Sequence, residues 1–378
     1  MDNFCGGRGN RTPVQTVLEN KSMNFAQSYI VRGLASKTRF TITMKILAIN
    51  GGNGVIVYPM RKHLIGNVEI RSAFKTPGDE QWNANFPGIQ LSTKAEGLTD
   101  YSTVDVIVGA PNCGHSSMLA YSRAKTTSDP MKDESFELYM ISLKLLKPKI
   151  FMMENLTKML DMVSEDVWKA SFPDYDLIFI NFSVNYWGNS QKTRKRLLII
   201  GWRKDHFKDH LKEVRDHFLN VYKINEIKTC GELSIGLDEE DWALGHVRED
   251  INDVITMYSG YKISLREIQK FWLANPNLKR WPVENKNFTT APGVYRNLEN
   301  GYPAVARKAN RQFNQQGLQM SPRELARIQG LPDNFKILLD IKRKTFTVNK
   351  ARTTVTKTPP YEIGRWFYKQ LIKIQPWI

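Results

Sequence analysis

Three short segments carry residue types that could do covalent chemistry, and each sits at the border of an apolar run. Residues 104–117 read VDVIVGAPNCGHSS, so a strand-like stretch breaks at Gly-Ala-Pro-Asn and presents Cys113 just past it. A thiol held there is a usable nucleophile once its pKa falls below the ordinary value of about 8.5. An inert loop cysteine has the same local pattern. Residues 147–160, KPKIFMMENLTKML, put Glu154 at the end of a second apolar run. A carboxylate at that depth is costly without a partner, so it meets a cation or a substrate, or else serves as the N-terminal charge of a helix. Residues 190–203, SQKTRKRLLIIGWR, bring Gln191, Arg194 and Arg196 up to the start of a third run. Cations at such an edge can hold a phosphate or a polarised carbonyl, or can simply face water.

The elements that must position these groups follow from hydrophobic patterning. Short apolar runs at 46–49, 68–74, 104–108, 150–153, 177–180 and 197–200 predict buried strands. Helical patterns lie between them, and SFELYMISLKLL (135–146) has apolar residues at helical spacing. Strand–helix alternation of this kind predicts an α/β fold with a mostly parallel, Rossmann-like sheet, whose ligands sit at the carboxyl ends of the strands. The first run leads into AINGGNG (48–54), a glycine-rich turn that either admits a cofactor close to the backbone or is a plain tight turn.

Around this core the chain divides into four stretches. Residues 1–43 have no sustained period and are expected to be poorly packed; they resemble the peptide made when a transfer-RNA gene is read as protein, which would put the functional start at Met44. Residues 44–203 hold the three candidate segments and the glycine-rich turn and are expected to form a catalytic and cofactor-binding domain. From 204 to 318 charges cluster, and Tyr258, Tyr261, Phe271, Trp272 and Trp281 alternate with Lys262, Arg266, Lys270, Lys279 and Arg280. This predicts a smaller, irregular α+β domain. Residues 319–378 return to regular helix and to the first domain.

Bulk composition narrows the partners. The 378 residues carry a net charge of +16, of which residues 1–43 supply +4. A basic excess of +12 on the rest suits a polyanion, whose phosphates exchange counterions for Lys and Arg, although a basic surface can also serve solubility alone. Cys5, Cys113 and Cys230 are far apart and form no C-x-x-C pair, which argues against a disulfide framework and a cysteine-based metal site. No apolar stretch approaches the roughly 18 residues of a membrane span, and the N-terminus lacks a secretory apolar core. A cytoplasmic, reducing environment and no membrane partner are expected.

The order of the pieces is more specific than any one of them. A Pro-x-Cys loop, a Glu-Asn-aliphatic strand end, a Gln/Arg cluster before a strand, a basic-aromatic insert and then SPRELARIQGLPDNF (321–335) resemble the DNA (cytosine-5)-methyltransferase family. The resemblance covers residues 44–374; Arg323, Glu324, Arg327, Gln329, Gly330, Pro332, Asp333 and Phe335 carry its late motif.

That resemblance implies Cys113 as the nucleophile that attacks carbon 6 of a flipped cytosine. It implies Glu154 on the ring N3 and exocyclic amine, and Arg194 or Arg196 on the carbonyl or the cysteine loop. S-adenosylmethionine is the implied methyl donor, with Ile49, Gly51, Gly54, Asp100 (or Glu96) and Pro111 around it; NANFPG (83–88) adds support. Double-stranded DNA is the implied substrate, with Gln191, Arg323, Gln329, Lys279 and Arg280 near it and a restriction endonuclease as a possible companion of the expected monomer. A tRNA cytosine-5 methyltransferase and a non-catalytic DNA-binding member are the alternatives. The chain departs from the family where the acid for the ribose hydroxyls aligns with Phe74, leaving Asp79 or Glu80 to substitute. Asn112 and Gly114 stand where the family has Pro and Gln around the nucleophile, Ser116 stands where a Phe usually follows, and Gln191 stands three residues before Arg194 rather than two.

Overall fold

Apolar runs of four residues are too short for helices and too apolar for a half-exposed sheet, and the chain stacks them side by side. The computed structural model describes residues 44–68, 78–89, 91–92, 95–112, 133–187, 191, 194–220, 322–337 and 348–378. Its strands are β1 (Ile46–Ile49), β2 (Leu64–Val68), β3 (Leu91–Ser92), β4 (Val106–Gly109), β5 (Ile150–Asn155), β6 (Tyr175–Ser183) and β7 (Lys195–Arg203). They form one seven-stranded sheet in the order β3-β2-β1-β4-β5-β7-β6. The first five are parallel where they pair, and β7 runs antiparallel to both β5 and β6.

Helices cover both faces, as a buried parallel sheet requires. The described helices are α1 (Gly78–Asn85), α2 (Glu134–Leu146), α3 (Met159–Met162), α4 (Glu165–Ser171), α5 (Leu211–Leu219), α6 (Pro322–Ile328), α7 (Val348–Lys357) and α8 (Tyr361–Ile374). Alternate residues of each strand feed two cores. Ile46, Ala48, Val106, Val108, Ile150, Met152, Leu198 and Ile200 pack with a 3₁₀ helix (Val55–Met60), α5 and α8. Leu47, Ile49, Ile107, Phe151, Met153, Leu197 and Ile199 pack with α2 and α4 on the other side. The Trp187 and Trp366 rings stack with centroids 4.7 Å apart and tie α8 to the sheet. Leu325, Ile328, Val355, Ile363 and Phe367 are buried in the first of these cores, and all described residues lie in one compact unit, Ile42–Ile378.

Two expectations need correction. The second strand is Leu64–Val68, four residues upstream of the apolar run at 68–74, and its pairing with β1 sets the register. Gly66 and Asn67 hide it from a hydrophobicity reading. A Cβ on Gly66 would lie 2.7 Å from the Tyr101 hydroxyl, so packing against Tyr101 explains the glycine. The alignment that set Phe74 in place of an acid therefore no longer follows: the residue after β2 is Glu69. Phe74 itself lies outside the described residues. The change of sequence character at 204 is also not a structural break, because Phe207, Val214 and Phe218 are buried in the same core as the sheet. Residues 221–321, the bulk of the expected second domain, lie outside the described residues, as do residues 1–43.

Candidate active site

The carboxyl ends of β1, β4 and β5 form one edge, and the chain turns sharply at each. After β1, Asn50 adopts φ 54° and Gly52 and Gly54 adopt φ 55° and 83°. The Gly54 amide donates to the Gly51 carbonyl at 2.8 Å, closing a tight turn. A Cβ on Gly54 would lie 2.0 Å from the Phe86 ring, whereas one on Gly52 would meet nothing within 4 Å. One side of the turn is thus packed on Phe86, from the NANFPG segment, and the other is open. Ile49 and Gly51 are buried at its start.

The segment leading to Cys113 is pinned from two directions. Pro111 is buried, and its carbonyl accepts from Asn155 Nδ2 at 3.3 Å. Asn112 donates its backbone N–H to Ser135 Oγ at 2.8 Å and its Nδ2 to Asp133 Oδ2 at 3.2 Å. Asp133 is the N-cap of α2, accepting from the Ser135 and Phe136 amides at 3.0 and 3.2 Å. One capping group thereby fixes a helix start and the approach to Cys113. The Asn50 amide joins the cluster by donating Nδ2 to the Ser135 carbonyl. That bond orients the amide, and its buried Oδ1 has no hydrogen-bond partner among the described residues. Cys113, His115 and Ser116 lie outside them.

Glu154 sits one residue beyond the last β4–β5 pair, opposite Leu198 of β7. Arg196, two residues before Leu198, lies on the same face of the sheet, and its Nε is 2.7 Å from Glu154 Oε1. The side chains are 16% and 8% exposed, so this is a buried pair. Burial pushes the Glu154 carboxyl above its ordinary value near 4.5, outweighing the opposing pull of Arg196 and Arg194. The two arginines, interchangeable by sequence, are distinct here. Arg196 takes the carboxylate, and Arg194 is buried in hydrogen bonds to Gln191, Gln329 and the Thr358 carbonyl.

Several expected ligand contacts are corrected by burial. Gln191 and Gln329 are fully buried and hydrogen-bonded to each other at 3.0 Å, so they face the interior and not DNA. Arg323 is 3% exposed and donates to the carbonyls of Phe335 (2.8 Å) and Pro332 (3.5 Å). Arg327 makes a two-pronged ion pair with Asp333, at 2.8 and 3.0 Å. The late motif therefore folds upon itself, its arginines fastening the turn that follows α6. Asp100 is exposed near the end of a 3₁₀ helix (Ala95–Tyr101), on the crossover returning to the amino end of β4. Lys279 and Arg280 lie outside the described residues. In sequence Asn50 is one residue of the glycine-rich turn, with no signal for its orphaned oxygen.

A mixed sheet with a glycine turn after β1 and the Glu154–Arg196 pair at the carboxyl end of β5 defines a methyltransferase fold. The model of the C-5 cytosine-specific DNA methylase family matches residues 72–351, and the chain belongs to that family. Among solved structures, one described as a DNA modification methyltransferase encoded within an E. coli prophage is similar with a TM-score of 0.62 and 16% identity, covering 88% of this chain and 99% of that one. The Dnmt2 methyltransferase of S. pombe and the methyltransferase EhMeth of Entamoeba histolytica each give 0.51 and 13%, with the same coverage. At such identities the likeness is one of fold. No curated protein sequence matches the chain. Among the described residues no helix is long and apolar enough to cross a membrane.

Proposed function

We propose that the chain transfers a methyl group from S-adenosylmethionine to carbon 5 of cytosine in double-stranded DNA, with Cys113 as the nucleophile. The observation that carries this reading is the Glu154–Arg196 pair, set on the strand edge where the chain enters the cysteine loop.

The end of β1 fits the cofactor. Gly52 leaves open space beside the turn, and the orphaned Asn50 Oδ1 calls for a donor, such as the amino group of the methionine moiety. Ile49, Gly51, Gly54 and Pro111 line the same strand ends. When bound, S-adenosylmethionine supplies an electrophilic methyl group.

Carbon 5 of cytosine is a poor nucleophile while the ring is conjugated. Attack of the Cys113 thiolate on carbon 6 would form a carbon–sulfur bond and move the ring electrons onto carbon 5, which would then take the methyl carbon as its bond to the donor's sulfur breaks, releasing S-adenosylhomocysteine. Loss of the carbon 5 proton and expulsion of the thiolate restore the double bond. A carboxyl held protonated can donate to the ring N3 while its other oxygen accepts from the exocyclic amine, and the raised proton affinity of Glu154 supports that role. Arg196 is then the cation beside the ring carbonyl. The base must leave the helix stack first, at a cost of a few kcal/mol. The +16 charge supports a nucleic-acid substrate.

The test is transfer of tritiated methyl from S-adenosylmethionine to duplex DNA and to tRNA, with the natural chain and Cys113→Ala. Label in DNA that disappears with Cys113→Ala is the expected outcome. Label in tRNA alone overturns the substrate, label surviving the substitution overturns the mechanism, and no label in either overturns the enzymatic reading.

A further inference from the structure

Away from the catalytic edge, the fold gathers cations that the reaction just described does not use. Arg61, Lys62 and His63 form the turn that leads into the amino end of β2, whereas the glycine turn and Glu154 lie at carboxyl ends of strands. Helix α8 packs directly on this stretch. A Cβ on Gly364 would lie 1.8 Å from the Ile56 carbonyl oxygen, the Tyr361 and Tyr58 rings are 6.4 Å apart, and the Tyr368 hydroxyl is 3.1 Å from His63 Nε2. Tyr361, Arg365, Tyr368 and Lys369 follow one another at helical spacing on one stripe of α8. The two tyrosines that touch the preceding stretch therefore bring Arg365 and Lys369 beside it. Lys62, Arg365 and Lys369 are exposed, and Arg61 is half-buried with its guanidinium 4.5 Å from the centre of the Tyr58 ring.

This surface is of one sign. Residues 44–68 contain no acid, and Glu362, the one acid of α8, is buried against Gly330, whose added Cβ would lie 1.8 Å from Glu362 Oε1. Lys62, Arg365 and Lys369 form no ion pair among the described residues. Like charges held together repel one another, and a polyanion relieves that repulsion while releasing its own counterions. The stripe lies on the convex side of a helix, and Tyr361 and Tyr368 turn their rings towards Tyr58 and His63. Such a surface suits the phosphate backbone of a duplex better than unpaired bases, which need open aromatic faces to stack upon. We propose that Arg61, Lys62, Arg365 and Lys369 form a second DNA contact, which holds duplex phosphates without reading sequence, apart from the edge where the base is methylated. DNA held there stays with the protein while the catalytic edge samples cytosines.

The choice of DNA rests on the proposed substrate, but the test needs no methyl transfer. An alternating A·T duplex contains no cytosine, so its binding, followed by fluorescence anisotropy as salt is raised, reports contacts made without a target base. Each phosphate contact contributes about 0.9 to the slope of log affinity against log salt, so Lys62→Gln, Arg365→Gln and Lys369→Gln together are expected to flatten it by about 1–2.7. At the upper figure the natural chain loses roughly fortyfold more affinity than the variant over a fourfold rise in salt. Lys62→Arg, Arg365→Lys and Lys369→Arg, which keep the charge, are expected to keep the slope. An unchanged slope in the neutral variant overturns the proposal, as does equal flattening by Lys144→Gln, Lys208→Gln and Lys212→Gln, three exposed lysines elsewhere on the surface. Flattening on tRNA or on phosphatidylserine vesicles but not on the duplex gives the surface to RNA or to lipid and overturns the DNA contact. If the triple variant does not fold, Lys62→Gln and Lys369→Gln are measured singly, and natural slopes in both overturn it. Should no substrate accept a methyl group, the proposed function fails while the salt slopes still decide the role of this surface.

Discussion

Replacing Arg196 by methionine isolates the electrostatics of the site. The substitution keeps much of the side-chain volume and leaves Glu154 buried without its nearest cation. An unpaired buried carboxylate does not stay charged; it takes up a proton, and the cost of doing so limits the damage. Relative to an unfolded-state value near 4.5, neutralisation at pH 7 costs at most about 1.36 kcal/mol for each of roughly 2.5 units, or about 3.4 kcal/mol. At pH 5 the same reasoning leaves about 0.7 kcal/mol. The sign follows from linkage: a carboxyl whose folded-state pKa is raised favours folding most below its unfolded value, and that contribution is lost as the pH rises towards the folded one. Losses in packing do not depend on pH and cancel in the difference. Urea denaturation at pH 7 and pH 5 should therefore show Arg196→Met weakened more at pH 7, by less than about 2.7 kcal/mol because the natural Glu154 is itself raised and already bears part of that loss. In a Glu154→Gln background that excess should vanish. A deficit equal at the two pH values, or an excess that persists without the carboxyl, would refute the buried-pair reasoning.

Two further substitutions address the cofactor turn. Gly54→Ala forces a left-handed residue and drives a Cβ into Phe86; it should lower the melting temperature, the backbone part alone costing roughly 1–2 kcal/mol, and a melting curve matching the natural chain would show that the turn is not packed this way. Asn50→Ala removes the orphaned acceptor; a bond to a charged amine is worth about 1.5–3 kcal/mol, so S-adenosylmethionine should bind roughly ten- to hundredfold more weakly by calorimetry. 5′-Methylthioadenosine, which lacks the amino-acid part, should bind as before. An equal loss for both ligands would place Asn50 elsewhere in the pocket.

What the sequence made legible was the chemistry carried by strand ends. Apolar runs that must be buried on both faces mark a parallel sheet, and a polar residue at the border of such a run sits at its edge. Glu154 and Arg196 could be recognised in this way. Strand β2 could not, because Gly66 and Asn67 break the apolar pattern and only the Tyr101 contact explains the glycine. Strand β2 starts four residues before the apolar run at 68–74, so an alignment built on that run misplaces the residue that follows the strand.

The misplaced DNA contacts have a related cause. Gln191, Arg323 and Gln329 are residue types that bind phosphates and bases, and no local pattern distinguishes such a residue from one that satisfies buried carbonyls. That distinction depends on which segments close upon one another. Arg194 and Gln329 stand 135 positions apart, and Arg194 and Thr358 stand 164 apart. Buried polar groups must find partners wherever the fold brings them, so a polar motif resumed after a long insert is as well suited to fastening the chain back onto its catalytic core as to touching substrate.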